Sequence, residues 1–170
     1  MSDIPATAQE TELLLHLGTM VRDAAGLEVT IEALTGHVIA SHNPQSAGVN
    51  GEPLSAMLRK CREAARQVPR IDAVQLEDLD KLLNRVAKAA EIRNAYVHGA
   101  WARDADGSYL AVRGRRGQTE LVTHAVSLDQ LVELIREIGW ITDGLLEWLI
   151  HDLDVAYGTP ADPSRTSAPH

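Results

Sequence analysis

The run Glu91-Ile92-Arg93-Asn94-Ala95-Tyr96-Val97-His98-Gly99-Ala100-Trp101 sets a cation, an amide and an imidazole within two helical turns. A neutral imidazole takes a proton from a weakly acidic hydroxyl near pH 7. A guanidinium binds a phosphate and the charge that grows on its oxygens. Arg93 and His98 together suit attack of an RNA 2′-hydroxyl on its own phosphodiester, a reaction that needs neither metal nor external nucleophile. Asn94 lies four residues before His98 and so shares its face, placed to orient the scissile phosphate or ribose, or to hold the imidazole. Arg93 and His98 do not share a face: five residues on an ideal helix are about 140° and 7.5 Å apart. A second copy of the motif, or loosening at Gly99, is needed to bring them together. The plainer alternative is an arginine paired with an acid and a solvated histidine.

The helix that must position these residues reads backwards as Val97, Arg93, Ala90, Val86, Leu83, Leu79 and Leu76, in steps of three and four. That spacing marks a face turned to a core or a partner. An arginine on such a stripe must be paired, reach a cavity or meet an anion.

Arg93-Asn94-Ala95-Tyr96-Val97-His98 resembles the motif of the HEPN superfamily (higher eukaryotes and prokaryotes nucleotide-binding): arginine, four to six residues, histidine, often with a polar residue directly after the arginine. The resemblance rests on these positions and on a helix pattern over residues 8 to 157 that fits a four-helix HEPN-like bundle. It implies a metal-independent endoribonuclease, of the toxin or defence-effector kind, that leaves a 2′,3′-cyclic phosphate. It also implies a two-fold dimer bringing two motifs together, with Arg93, His98 and Asn94 catalytic, RNA as substrate and no cofactor. The alternative within the same resemblance is a non-catalytic HEPN-like dimer that binds RNA, a nucleotide or a protein. Some HEPN toxins carry a tyrosine two residues after the histidine, the target of a nucleotidyl-transferring antitoxin; here that position is Ala100. An antitoxin or other protein partner is therefore left open and unidentified.

The rest of the chain reads as one all-α domain, an up-and-down four-helix bundle with a small β-hairpin inserted between the third and fourth helices. At 170 residues it is large enough for a core without disulfides or metals. Its net charge of −8 creates no global field that attracts nucleic acid. The single cysteine, Cys61, suits a reducing cytoplasm and a small buried apolar role. No signal peptide and no membrane-spanning run is apparent, so a cytoplasmic location is expected.

Leu13, Leu17, Met20, Ala24, Leu27, Ile31, Leu34 and Val38 keep step across Gly18, Gly26 and Gly36, which predicts one long helix over about 8–41, with a break near Gly26 as the alternative. Pro53 opens a second helix that ends before Pro69. The third begins around Leu76, with Asp72 as a cap. Beyond the motif, short alternating runs around Asp106-Gly107 predict a two-stranded hairpin over about 100–114, packed on the bundle through Trp101, Tyr109 or Leu110. Arg103, Arg113, Arg115 and Arg116, against two aspartates, give Gly99–Gly117 a local balance of +2, an expected RNA-contacting element beside His98 or a solvated connection. The fourth helix starts at Ser127. Its stripe of Leu128, Leu131, Ile135, Ile138, Leu145, Leu149 and Leu153 is broadened by Trp140, Leu146, Trp148 and Ile150, enough for a core and a subunit interface. Residues 158–170 read as a disordered tail.

Other chemistry is weaker. His37 and His42 are poorly spaced for a shared metal, and His16, His124 and His151 have no ligand-like company, so no metal site is expected. Arg113-Gly-Arg-Arg-Gly lacks the context of a phosphate-cradling loop.

Overall fold

The computed structural model describes residues 8–43, 51–104, 108–114 and 121–153. In chain order it has α1 (Ala8–His42), α2 (Leu54–Ala65), α3 (Ala73–His98), β1 (Ala100–Arg103), β2 (Tyr109–Gly114), β3 (Leu121–Val126) and α4 (Leu128–Asp152). The fold is mostly helical, with a small antiparallel sheet between α3 and α4. The Asp106-Gly107 turn, Arg115, Arg116 and the 158–170 tail lie outside the described residues.

The stripe on α1 is the spine of the core. Leu13, Met20, Ala24, Leu27, Ile31, Leu34 and Val38 are buried, and Leu17 packs against the same cluster. The helix runs through Gly26 without a break, because continuous burial on one side outweighs about 1 kcal/mol for each glycine. α4 and α2 pack most extensively on α1. Met57, Leu58, Cys61, Ala64 and Ala65 turn α2 inward. Burial pushes the Cys61 thiol up to about 12, far from a reactive thiolate.

α3 starts a turn earlier than expected because Asp72 builds a full capping box. Its Oδ1 accepts from the N–H groups of Val74 (2.8 Å) and Gln75 (2.9 Å), and Asp72 N–H donates to Gln75 Oε1 (2.7 Å). Ser127 caps α4 in the same way with Gln130. The two tryptophans of α4 part company. Trp148 is buried and donates to the Gln75 carbonyl (3.1 Å), whereas Trp140 is 67% exposed. Residues eight apart on a helix point about 80° apart, so both could not join one core face.

In place of a two-stranded hairpin there is a three-stranded sheet in the order β1-β2-β3. The added strand, β3, pairs with the whole of β2, from Tyr109↔Val126 to Gly114↔Leu121. The physical reason is that two strands are marginal alone and a third satisfies the free edge of β2. Ala111 and Val126 are buried, and Trp101 and Tyr109 pack against the core with their rings 5.9 Å apart. Tyr109 Oη donates to Glu10 Oε1 (2.7 Å), fastening the sheet to the first turns of α1.

Candidate functional site at the end of the third helix

Arg93 emerges from α3 against α1. Its Nη2 donates to Glu28 Oε1 in an ion pair, with the arginine side chain 19% exposed and the glutamate 41%. Around the pair lies an apolar crevice of about 10 Å³, lined by Ala24, Leu27, Leu54, Ala89 and Ile138. A guanidinium carries five N–H donors. The Nε of Arg93 is buried and has no hydrogen-bond partner among the described residues. Burying a donor without a partner is costly, so this arginine is paired through Nη2 yet incompletely satisfied.

His98 is the last residue of α3 and is exposed. Asn94, one turn earlier, is half-buried. Neither side chain has a hydrogen bond or ion pair among the described residues. Within one chain Arg93 faces α1, while Asn94 and His98 take the face about 100–140° around the helix. The three are brought to one end of one helix and not to one point.

Gly99 does not loosen the last turn, which removes one of the two ways of bringing Arg93 and His98 together. Its φ is −76°, and its N–H donates to the Ala95 carbonyl at 2.8 Å. A Cβ there would overlap the Ala95 carbonyl oxygen and lie 3.1 Å from that of Val112. Glycine is required by this close approach, which sends the chain from His98 straight into β1. Two further bonds hold the turn. Trp101 Nε1 donates to the Tyr96 carbonyl (2.8 Å), and Tyr96 Oη donates to the Ala125 carbonyl on β3 (2.9 Å). His98 therefore stands on a rigid platform of helix end and sheet.

The expected RNA-contacting arginines divide. Arg103 is taken up by Glu10 and lies over the Tyr109 ring, 4.7 Å from its centroid. Arg113 is exposed at the end of β2, and Arg115 and Arg116 lie outside the described residues. Glu28 is a residue that sequence reasoning misses. Its only signal is an acid on the border of the α1 stripe, beside Leu27, where an arginine of another stripe could find it.

Among the described residues there is no group of three or more metal-ligating side chains, and no helix is long and apolar enough to cross a membrane. Comparison with protein-family models, with curated proteins and with solved structures finds no match. The functional reading rests on the residues alone.

Proposed function

We propose that this chain is a HEPN-like, metal-independent endoribonuclease of the toxin or defence-effector type, whose site is completed by a second copy of itself in a two-fold dimer. One observation carries the reading. The incompletely satisfied Arg93 sits at the end of an unpartnered apolar stripe on α1. Leu14 (57% exposed), Val21 (42% exposed) and Glu28 follow one another at seven-residue spacing, with Gly18 and Ala25 between them. Seven residues return an α-helix almost to the same direction. A copy packed on this stripe reaches the Glu28–Arg93 pair and brings the two α3 ends toward each other.

In the composite site, the His98 imidazole takes the proton of the RNA 2′-hydroxyl. The 2′-oxygen attacks phosphorus, the P–O5′ bond breaks, the 5′-oxygen takes the proton back from the His98 imidazolium, and a 2′,3′-cyclic phosphate remains. Arg93 neutralises charge on the phosphate oxygens as it grows. Its bond to Glu28 holds the planar fork in orientation, and the phosphate competes with Glu28 for it. Asn94 positions the ribose or phosphate beside His98.

A second reading is favoured by the same ion pair. An arginine four-fifths covered and already holding a carboxylate fits a structural role, in a non-catalytic HEPN-like dimer that binds RNA, a nucleotide or a protein. Incubation of the purified protein with mixed RNA in EDTA separates the two. Cleavage to 2′,3′-cyclic ends, absent in His98→Ala and on RNA with 2′-deoxy at the cleaved position, supports the nuclease. RNA binding without cleavage supports the second reading, and cleavage that persists in His98→Ala refutes the mechanism.

A further inference from the structure

A cavity of about 450 Å³ opens between α3, β3 and α4, apart from Arg93 and His98. This volume falls in the range of small-molecule sites, about 300–1,000 Å³. Its floor is apolar, made by Ala89, Ile92 and Leu134. Most of its polar groups are already committed. Glu137 accepts both prongs of the Arg85 fork at 2.7 Å each, Glu133 is paired with Arg136, the Gln130 side chain caps α4, and the Tyr96 hydroxyl is spent on Ala125.

Two lining groups remain. Lys88 on α3 is exposed and His124 on β3 is half-buried. Neither has an ion pair or side-chain hydrogen bond among the described residues. Lys88 feels Glu137 electrostatically and helps to hold that carboxyl low, but Glu137 is already taken by Arg85. The acids of the cavity are thus paired with arginines, and beside the Nε2 of Gln130 the lining donors left over are one ammonium and one imidazole. Both can donate to an anion.

We infer that this cavity binds a small organic anion, its apolar body on Ala89, Ile92 and Leu134 and its carboxylate or phosphate monoester between Lys88 and His124. The apolar floor supplies affinity for that body, and the unmatched donors select the sign of its charge. Carboxylate and phosphate monoester share the chemistry that these donors recognise.

The test is titration of the full chain with three probes of one ring system: 2-naphthoate, 2-naphthyl phosphate and 2-naphthylmethylamine. At least one anion should bind at a single saturable site, and the amine about tenfold or more weaker. Which anion binds identifies the head group. Lys88→Glu, at an exposed position, should weaken the anion about tenfold, and Ile92→Trp, on the half-buried floor, should block it. Equal binding of the amine, unchanged binding in Lys88→Glu, or no saturation by either anion at about 1 mM overturns the inference. So does anion binding that survives Ile92→Trp and is lost in Val21→Ser, which would place it on the α1 stripe.

Discussion

Two arginines on α3 meet carboxylates from neighbouring helices, and they do so differently. Arg85 gives Nε and Nη2 to the two oxygens of Glu137, lies under the Trp140 ring with its carbon 4.9 Å from the centroid, and keeps about a third of its side chain in water. Arg93 gives Nη2 to Glu28, keeps a fifth of its side chain exposed, and leaves its buried Nε without a partner among the described residues. The first is a finished surface fork and the second an unfinished one in an apolar crevice. The mismatch at Arg93, near the exposed Leu14 and Val21 of α1, is the observation on which the proposed composite site rests.

A large effect is expected at the stripe. Val21→Asp puts a charge where a partner helix should pack, at a position exposed in the single chain. It should give a monomer at tens of micromolar by light scattering, with an unchanged fold by circular dichroism. Cleavage should fall about 100-fold, the cost of a misplaced catalytic group. A wild-type monomer at that concentration would remove the composite site.

Stability sharpens the contrast between the pairs. Glu28→Ala strands a mostly covered cation and should cost about 2 kcal/mol. Glu137→Ala leaves Arg85 free to rehydrate and should cost about 1 kcal/mol or less. Denaturant midpoints that shift equally would show that the two arginines are alike.

The smallest effect is the response of the Arg85 fork to acid. The hydrogen bonds from Arg85 hold the Glu137 carboxyl below its usual range, against burial, with the charges of Arg85 and Lys88 adding a little. A carboxyl lowered on folding contributes stability fully above its unfolded value of about 4.3, and that contribution is lost as pH falls through the folded value. The stability gap between wild type and Glu137→Gln should therefore be flat from neutral pH to about pH 5 and shrink in stronger acid. Because both side chains are about a third exposed, solvent screening limits the gap to about 0.5 kcal/mol.

Features encoded locally are legible in the amino-acid sequence. The α1 stripe from Leu13 to Val38, the Asp72 and Ser127 caps and the proline before α2 each depend on neighbours within a turn or two. Features made by distant pairing are not legible in this way. β3 is a six-residue run whose alternation gains meaning only against β2, so local patterning predicts a hairpin where a sheet forms. Glu28 and Arg93 are 65 residues apart, and Arg85 and Glu137 are 52 apart. The chain signals that Arg93 needs an anion but not which one. The proposed trio of Arg93, Asn94 and His98 is legible as residue types at one helix end, and its separation onto two faces follows from the helix period alone.

The most direct test compares RNA cleavage in EDTA by Arg93→Met and Arg85→Met. Methionine fills the crevice of Ala24, Leu27, Leu54 and Ile138, and Glu28 can return to water, so Arg93→Met should fold with stability within about 1 kcal/mol of wild type. Arg93→Met is expected to lose cleavage by about 100-fold or more, while Arg85→Met cleaves as the wild type does. A folded, dimeric Arg93→Met protein that still cleaves at the wild-type rate would contradict a catalytic role for this arginine.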